Sequence, residues 1–311
     1  MAYMSPEDPS TANRVLGEIG LADRIRAVGF IDAGFSADRK YLVTLRDGAE
    51  LVLRLSALGD EQARRFEFET IAQLRADGVL CPETIRFGIY QDLCFGLYSY
   101  IPGDCATDAL PGLSVSEQYG IGIHAGKQLQ VIHYWSAPPV QVDEFAVRGA
   151  KYNKHSIQLS ELGITFAGQV EAHKYAKANM HLLQGRPTTF RHGDFHPSNL
   201  IIQRGELTGV IDFNRCDWGD PFDDFYKTAF FGFPVSEAFA SGLVIGYFGG
   251  NPPDDFWPLY NLYVAATLPA DIVWSHQLFP HELPKSITRV ERITRTHDFH
   301  SGGPPTWFGS S

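Results

Sequence analysis

The sequence is poor in cysteine and has no excess of positive charge, and each shortage excludes a class of protein. None of the 4 cysteines among 311 residues forms a C-x-x-C pair, so a zinc knuckle or a dithiol redox motif has no local support. We expect buried, reduced thiols instead. Lysine and arginine (26) are outnumbered by aspartate and glutamate (36), which gives a net charge of −10. That sign argues against nucleic-acid binding and favours a cationic partner.

Long apolar runs are also missing. The longest apolar region, residues 229–250, is interrupted by Pro234, Ser236, Glu237 and Ser241, so it falls short of the ~20 apolar residues that span a bilayer. The first residues, MAYMSPEDPSTAN, contain acidic residues and prolines where a secretory signal has basic residues followed by an apolar run. We therefore expect a cytoplasmic protein that uses no membrane.

The first third of the chain has the pattern of a small sheet. Residues 25–56 contain β-branched and aromatic runs broken at Asp47-Gly48, a dipeptide typical of a tight hairpin. Residues 60–77 change to helical spacing, with Phe66, Ile71 and Leu74 on one face and Gly78 as a stop. Two more strand-like runs follow, TIRFGIY and CFGLYSYI. The pattern predicts about five strands and one helix, ending near residue 100.

Beyond Pro102-Gly103 the pattern becomes mainly helical. The segment NLIIQRGELTGVIDF interrupts it with two apolar runs around a polar turn, which predicts a hairpin inside a helical lobe. The C-terminal SGGPPTWFGSS is rich in turn formers, and we expect it to be loose. The predicted helical segments are residues 116–133, 170–183, 225–247 and 254–274.

The hairpin is flanked by the side chains that phosphoryl transfer requires. Asp194 lies five residues before Asn199, the hairpin follows, and Asp212 stands at the end of its second strand. Transfer from a nucleotide needs a carboxylate near the attacking hydroxyl and hard oxygen ligands for Mg²⁺. These three residues supply those groups.

Residues 190–226 resemble the aminoglycoside phosphotransferase family, whose relatives include choline kinases and eukaryotic-like protein kinases. The match consists of H-G-D-x-x-x-x-N, I-D-F and G-D-P-x-x-D in that order. The resemblance implies an α+β, bilobal protein-kinase-like fold. Its small lobe would be a five-stranded antiparallel sheet with one helix and would bind nucleotide over residues 1–101, including the linker. Residues 102–311 would form the large, mainly helical catalytic and substrate-binding lobe, with the site in the cleft between the lobes.

The same resemblance assigns roles to the matched residues. Asp194 would be the catalytic base, and Asn199 and Asp212 would hold Mg²⁺ against the phosphates of ATP or GTP. Replacing Asp194 by Ala is then expected to remove turnover and leave folding intact. Three further matched residues would support the catalytic loop without touching substrate: His192, Asp220 and Asp224.

The nucleotide side departs from the family pattern. In ELVLRLS the phosphate-binding lysine position holds Arg54, which is planar and able to bind two oxygens at once. Glu67 shares a helical face with Ile71 and Leu74, whereas Glu69 does not, so Glu67 is preferred as the carboxylate that steers Arg54. Backbone groups complete the predicted nucleotide site, at Ser36 and Ala37 for the phosphates and at Ser99 and Ile101 for the adenine.

The family resemblance and the acidic residues of the large lobe together predict the acceptor. A polyamine sugar would be attracted by such carboxylates, so an aminoglycoside is the first candidate. A small-molecule metabolic kinase with a choline-like, amino-alcohol or sugar acceptor is the alternative, and Arg54 leaves a nucleotide-binding pseudokinase open. The sequence gives no indication of oligomeric state. The candidate acceptor-binding residues are Asp217, Asp223, Glu237, Asp254, Asp255 and Asp271.

Other motif matches are weaker. GIGIHA at residues 120–125 fits G-x-G-x-x-A, but no strand precedes it and it lies within a predicted helix, which disfavours a dinucleotide site. His192 and His196 have the spacing of zinc-binding helices, yet Gly193 and Pro197 oppose a regular helix there. Ser198 lacks the G-x-S-x-G pattern of a hydrolase nucleophile.

Overall fold

The computed structural model describes residues 9–32, 38–135 and 141–309, and the chain divides into two compact units. The first contains Met1–Gly103 and Thr208–Asn214, and the second contains Asp104–Leu207 and Arg215–Ser311. The segment Thr208–Asn214 is anchored in the first unit by the Val210 N–H, which donates to the Leu80 carbonyl at 2.6 Å. As a result Asp212 belongs to the first unit although it is distant from the other members in sequence.

The first unit is built on an antiparallel sheet of five strands in the order β1-β2-β3-β5-β4. The predicted five strands and single central helix are confirmed, and an additional N-terminal helix was not predicted. The elements are α1 (Ser10–Glu18), β1 (Ile25–Ile31), β2 (Arg39–Leu45), β3 (Glu50–Ala57), α2 (Glu61–Ala76), β4 (Thr84–Tyr90) and β5 (Leu93–Ser99).

Alternation along the strands places one sheet face in the core. Tyr41 and Val43 of β2 are fully buried, and so is Leu53 of β3. Val15 and Leu16 of α1 complete this cluster, which explains why a helix precedes β1. The β2–β3 turn has Gly48 at φ +90°, a backbone conformation that glycine adopts readily.

Helix α2 buries Glu67, Ile71 and Leu74 together, as the spacing predicts. The placement of Phe66 on this face is wrong, because its side chain is 42% exposed. Phe68 packs inward instead, with its ring centroid 5.4 Å from that of Tyr98. Phe66 is five residues from Ile71 and lies off the shared face, whereas Phe68 is three residues from it, so helical spacing favours Phe68.

The second unit is mainly helical, with a two-stranded sheet (β10-β7) and a three-stranded sheet (β6-β8-β9). Strand β9 begins in this unit and continues into the first. The elements are β6 (Asp104–Cys105), α3 (Ala106–Ala109), α4 (Val115–His133), α5 (Glu144–Leu162), α6 (Gln169–Asn179), β7 (Thr189–Arg191), β8 (Leu200–Gln203), β9 (Glu206–Val210), β10 (Asp217–Gly219), α7 (Glu237–Phe248), α8 (Phe256–Leu278) and α9 (Leu283–Thr296).

The continuous helix predicted over residues 225–247 is wrong. Thr228–Gly232 form a short π-helical segment, and the chain turns before Ser236, whose side chain caps α7 by accepting from the Phe239 N–H. Pro234 lies in this turn, where it lacks the N–H that a helix interior uses. The interruption places Lys227 just before the π-helical segment rather than inside a regular helix.

Helices α4 and α7 pack with their backbones in contact, which accounts for the G-x-G-x-x-A match. A Cβ on Gly122 would lie 2.3 Å from the Phe239 carbonyl oxygen, and one on Gly126 would lie 2.2 Å from that of Leu243. Gly242 and Gly246 of α7 make the reciprocal approach to α4. These glycines allow the two helices to pack closely. The G-x-G-x-x-A match therefore reflects helix packing and not a dinucleotide site.

The C-terminal segment is ordered against α7 and α8, contrary to the expected loose tail. Trp307 is 1% exposed, and its ring stacks on Phe233 at a centroid distance of 6.1 Å. Its carbonyl accepts from the Ser241 hydroxyl at 3.0 Å. These contacts of Trp307 hold the described part of the segment in place, although the segment is rich in turn formers.

The cysteines are free thiols in the described residues. Cys81 and Cys94 are buried as expected, whereas Cys105 and Cys216 are partly exposed, so that expectation holds for only part of the set. Within the described chain, no helix has both the length and the hydrophobicity needed to cross a membrane.

Candidate active site

The loop after β7 holds Asp194 in a tightly constrained backbone. Gly193 adopts φ +74°, and a Cβ there would lie 2.2 Å from the Arg215 carbonyl oxygen. Only glycine satisfies both the left-handed backbone and the close approach. Asp194 follows immediately, and a 3₁₀ turn at Pro197–Asn199 ends the loop.

Asp224 fixes the backbone of this loop through two hydrogen bonds. Its carboxylate accepts from the His192 N–H at 2.9 Å and from the Gly193 N–H at 2.8 Å. Burial by itself raises the pKa of Asp224, but the hydrogen bond and charge of His133, 3.0 Å away, hold it below its usual value. The ionised carboxylate therefore provides two strong acceptors for the loop.

His192 and Asp220 also contact backbone. His192 is fully buried, and its Nδ1 accepts from the Asp194 N–H at 3.2 Å. Asp220 accepts from the Phe222 N–H at 3.0 Å and pairs with Arg186 at 2.5 Å. The structure thus places His192, Asp220 and Asp224 in contacts that position loops.

The Asp194 carboxylate faces Lys227 and His196 on one side. Its Oδ1 lies 2.6 Å from Lys227 Nζ and 3.3 Å from His196 Nε2. Its Oδ2 has longer contacts, 3.4 Å to Asn199 Nδ2 and 3.9 Å to Arg215 Nε. Oδ2 is therefore the oxygen with more capacity to accept a hydrogen bond from a bound hydroxyl.

This environment keeps Asp194 ionised. Burial alone raises the pKa of Asp194, but hydrogen bonding from His196 and the charge of Lys227 outweigh it and hold the pKa far below its usual value. A carboxylate with so low a pKa is a weak base and a good hydrogen-bond acceptor. Its chemistry suits orienting a hydroxyl more than removing its proton early.

Lys227 is a site residue that the sequence analysis missed. It is 5% exposed, and its ammonium lies 5.4 Å from the ring centroid of Phe231. Burial alone lowers the pKa of Lys227, but Tyr226 and Asp194 raise it above its usual value. A single basic residue within the apolar run FYKTAFF was the available signal, because a buried lysine requires an anionic partner.

Asn199 is oriented by the backbone of the loop. Its Nδ2 donates to the Asp194 carbonyl at 2.9 Å, which directs the amide nitrogen toward the protein. The amide oxygen is the remaining atom that can act as a ligand. That orientation fits the Mg²⁺ ligand expected at this position.

Asp212, in the first unit, also has the properties of a cation ligand. It adopts φ +66°, a strained conformation for a residue other than glycine and one that occurs often at functional sites. Its Oδ1 is buried and has no hydrogen-bond partner within the described residues, while Oδ2 lies 3.8 Å from Lys40 Nζ. An unsatisfied buried carboxylate oxygen fits a metal ligand.

No group of three or more His, Cys, Asp or Glu side chains in the described ranges is arranged to hold a metal.

On the nucleotide side, Arg54 lies in a cluster of four charges. Its Nη1 donates to Glu67 at 2.7 Å, and its Nε donates to Asp38 at 2.7 Å. Arg64 contacts the same two carboxylates at 3.1 and 3.0 Å. Burial alone lowers the pKa of Arg54, but Glu67 and Asp38 raise it above its usual value. Asp38 and Arg64 complete the cluster, and neither was predicted from the sequence.

The other predicted nucleotide contacts concern backbone. Ser36 and Ala37 lie outside the described residues. The Ser99 N–H donates to the Glu83 carbonyl at 2.9 Å, so an adenine could use only the carbonyl oxygen of Ser99. Ile101 follows β5 in an irregular segment.

Four of the six candidate acceptor-binding carboxylates are paired with arginines. Asp217 lies 2.8 Å from Arg191, and Asp271 lies 2.8 Å from Arg289. Asp223 pairs with Arg191 at 2.7 Å and also with Arg148, and Asp255 lies 3.5 Å from Arg186. Glu237 and Asp254 are exposed. Carboxylates neutralised by guanidinium groups attract an ammonium group weakly, so these pairs oppose the expected acidic acceptor surface.

Comparison with known proteins identifies what the chain resembles. A model of the APH phosphotransferase enzyme family matches residues 28–257, more than half of the chain. An alignment over 265 residues is 28% identical to Acyl-CoA dehydrogenase family member 10 of Mus musculus and covers 71% of this chain and 24% of that protein. The chain therefore spans about a quarter of the length of this relative.

Solved structures share the fold at low identity. The GDP complex of aminoglycoside 2'-phosphotransferase-IIIa has a TM-score of 0.69 at 14% identity, covering 93% of this chain and 99% of that one. Amicoumacin kinase hAmiN, in complex with AMP-PNP, Ca²⁺ and Ami, has a TM-score of 0.62 at 17% identity, covering 94% and 98%. These similarities confirm the kinase-like α+β fold.

Proposed function

Because this chain belongs to the phosphotransferase enzyme family, we propose that it transfers the γ-phosphoryl group of ATP or GTP to a small acceptor, with Mg²⁺ as cofactor. The chain is an enzyme that transfers phosphate to a hydroxyl group of a small molecule. Structures of its fold relatives contain GDP, ADP and AMP-PNP, which supports a nucleoside triphosphate as donor. We also propose that it acts in the cytoplasm.

The environment of the Asp194 carboxylate is the main support for this proposal. The carboxylate is held ionised by Lys227 at 2.6 Å, and its Oδ2 has only longer contacts. Oδ2 would accept a hydrogen bond from the acceptor hydroxyl and direct its oxygen toward the γ-phosphorus. The new bond forms between these two atoms, and the bond from phosphorus to the β,γ-bridging oxygen breaks. In a loose transition state the hydroxyl proton would pass late to Asp194 Oδ2, and the nucleoside diphosphate would leave. Late proton transfer suits a weakly basic carboxylate.

The amide oxygen of Asn199 and the carboxylate of Asp212 would hold Mg²⁺, which when bound neutralises the charge on the phosphates. The orientation of Asn199 by the Asp194 carbonyl and the orphaned Oδ1 of Asp212 support these roles. Arg54 and Glu67, paired with each other and with Asp38 and Arg64, would form a charge-balanced cluster beside the nucleotide site.

For the acceptor, two classes remain in the proposal. An aminoglycoside is supported by the family and by relatives crystallised with gentamicin and with streptomycin. A metabolic acceptor that carries at most one ammonium group, such as choline, an amino alcohol or a sugar, is favoured by the arginine partners of the acidic candidates. Recognition of such an acceptor does not require several free carboxylates.

A panel of acceptors with labelled ATP and GTP tests the proposal. Purified protein with Mg²⁺ is incubated with aminoglycosides, choline, amino alcohols and sugars, and labelled phosphate in the product is measured. We expect transfer to at least one class and its loss when EDTA removes the metal. Absence of transfer to every acceptor, with both nucleotides bound, would contradict the function and favour a nucleotide-binding pseudokinase.

A further inference from the structure

Arg54 stands where the family pattern has a phosphate-binding lysine, but its guanidinium is already engaged by protein carboxylates. Asp38 and Glu67 each accept from it at 2.7 Å, and Arg64 shares both of them. The residue is 7% exposed. Turning this guanidinium toward a polyphosphate would remove half of the positive charge that compensates two buried carboxylates. Arg54 is better placed to hold β3 against α2 than to bind a nucleotide.

Lys40 lies directly opposite Arg54 in the antiparallel register of β2 and β3. Opposed residues of neighbouring strands project from the same sheet face. The side chain of Lys40 therefore projects from the same face as that of Arg54. It lies 3.8 Å from Asp212 Oδ2, and its side chain is 19% exposed. This pair is at the long limit for an ion pair. A flexible lysine in such a pair can turn to another anion without breaking a buried network.

Asp212, the predicted cation ligand, lies beside Lys40. The other oxygen of Asp212, Oδ1, is buried and has no hydrogen-bond partner among the described residues, which suits it to a cation. Phosphate oxygens that share this cation would lie within a few ångströms of Asp212, at about the reach of an ammonium group already close to Oδ2.

We propose that Lys40 on β2, rather than Arg54 on β3, binds the phosphates of the nucleotide. The ammonium group that binds the phosphates then lies on β2, and the guanidinium of Arg54 belongs to the Asp38–Glu67–Arg64 cluster. This inference rests on the proposed function, because it requires a nucleotide whose phosphates lie at Asp212.

The test is binding of fluorescent ATP and GTP analogues to the full chain, measured by anisotropy beside the thermal unfolding midpoint. Lys40→Met should weaken binding by about 10- to 100-fold, the effect of losing a hydrogen bond to a charged group, with an unchanged midpoint. Lys40→Arg should recover most of the affinity. Arg54→Lys keeps one positive charge but loses the double contact with Asp38, so it should lower the midpoint and leave binding close to wild type.

Arg39→Ala is the matched control, since Arg39 neighbours Lys40 and projects from the opposite face, and it should change neither quantity. Wild-type affinity in Lys40→Met would overturn the inference. So would loss of binding in Arg54→Lys at an unchanged midpoint. If the wild-type chain binds no nucleotide, the proposed function fails and the inference fails with it, a result visible before any variant is made.

Discussion

Two clusters of charge, one in each unit, differ in how completely their charges are balanced. In the first unit, Arg54 and Arg64 face Asp38 and Glu67, with contacts between 2.5 and 3.1 Å. In the second, the Asp194 carboxylate lies beside Lys227 and Arg215, with His196 at 3.3 Å.

The difference separates a structural role from a catalytic one. A balanced and buried cluster is costly to open, because each group has an opposite charge whose loss leaves it unpaired. An excess of positive charge around one carboxylate leaves electrostatic attraction for an incoming phosphate and for the charge that develops during transfer. We therefore expect substitutions in the first cluster to act mainly on stability and those in the second to act mainly on turnover.

The largest effect on stability is expected for Arg54→Met. The substitution leaves the buried carboxylates of Asp38 and Glu67 with Arg64 as their remaining arginine, which should lower the free energy of unfolding by about 3–5 kcal/mol. Urea denaturation followed by circular dichroism measures it. A loss below about 1 kcal/mol, within the range of an exposed ion pair, would show that the cluster is not structural.

A smaller effect is expected for the Lys227 and Asp194 pair. Lys227→Met and Asp194→Asn each leave one buried charge without its partner, whereas the double variant removes both. The sum of the two single-variant losses in the free energy of unfolding should exceed the loss in the double variant. The coupling energy should be about 1–3 kcal/mol. The structure thereby changes the expectation that Asp194 can be replaced without affecting folding. Strict additivity in a double-mutant cycle would indicate that the 2.6 Å contact is not formed in solution.

The smallest effect is expected for Glu69→Gln, compared with Glu67→Gln at the neighbouring buried position of α2. Glu69 is exposed, so its substitution should change the free energy of unfolding by less than about 0.5 kcal/mol. Glu67→Gln weakens its pairs with Arg54 and Arg64 and should cost more. Equal losses of free energy of unfolding in the two variants would show that Glu67 contributes no more to stability than the exposed Glu69.

The parts of the site that depend on local sequence could be predicted. Asp194 and Asn199 belong to one short loop, and Gly193 supplies its left-handed backbone, so a motif contains most of the information. Glu67 was also predictable, because helical periodicity places it beside Ile71 and Leu74. For these residues, spacing along the chain determines spacing in the fold.

The partners of these residues could not be predicted in the same way. Asp38 meets Arg54 across two strands, and Lys227 reaches Asp194 only after the turn that interrupts the predicted helix. Helix α5 was missed because only Glu144, Tyr152 and Leu159 of its residues are buried, which leaves little hydrophobic periodicity. Such contacts are selected by tertiary packing, and a single sequence contains no local record of them.

The most direct test of the central claim is the turnover of Asp194→Asn at saturating nucleotide and acceptor. We expect a fall in kcat of about 10²- to 10⁴-fold, the range for a positioned group that handles a proton, while the affinity for the nucleotide stays near wild type. Turnover equal to wild type in a folded, nucleotide-binding variant would show that another group receives the acceptor hydroxyl.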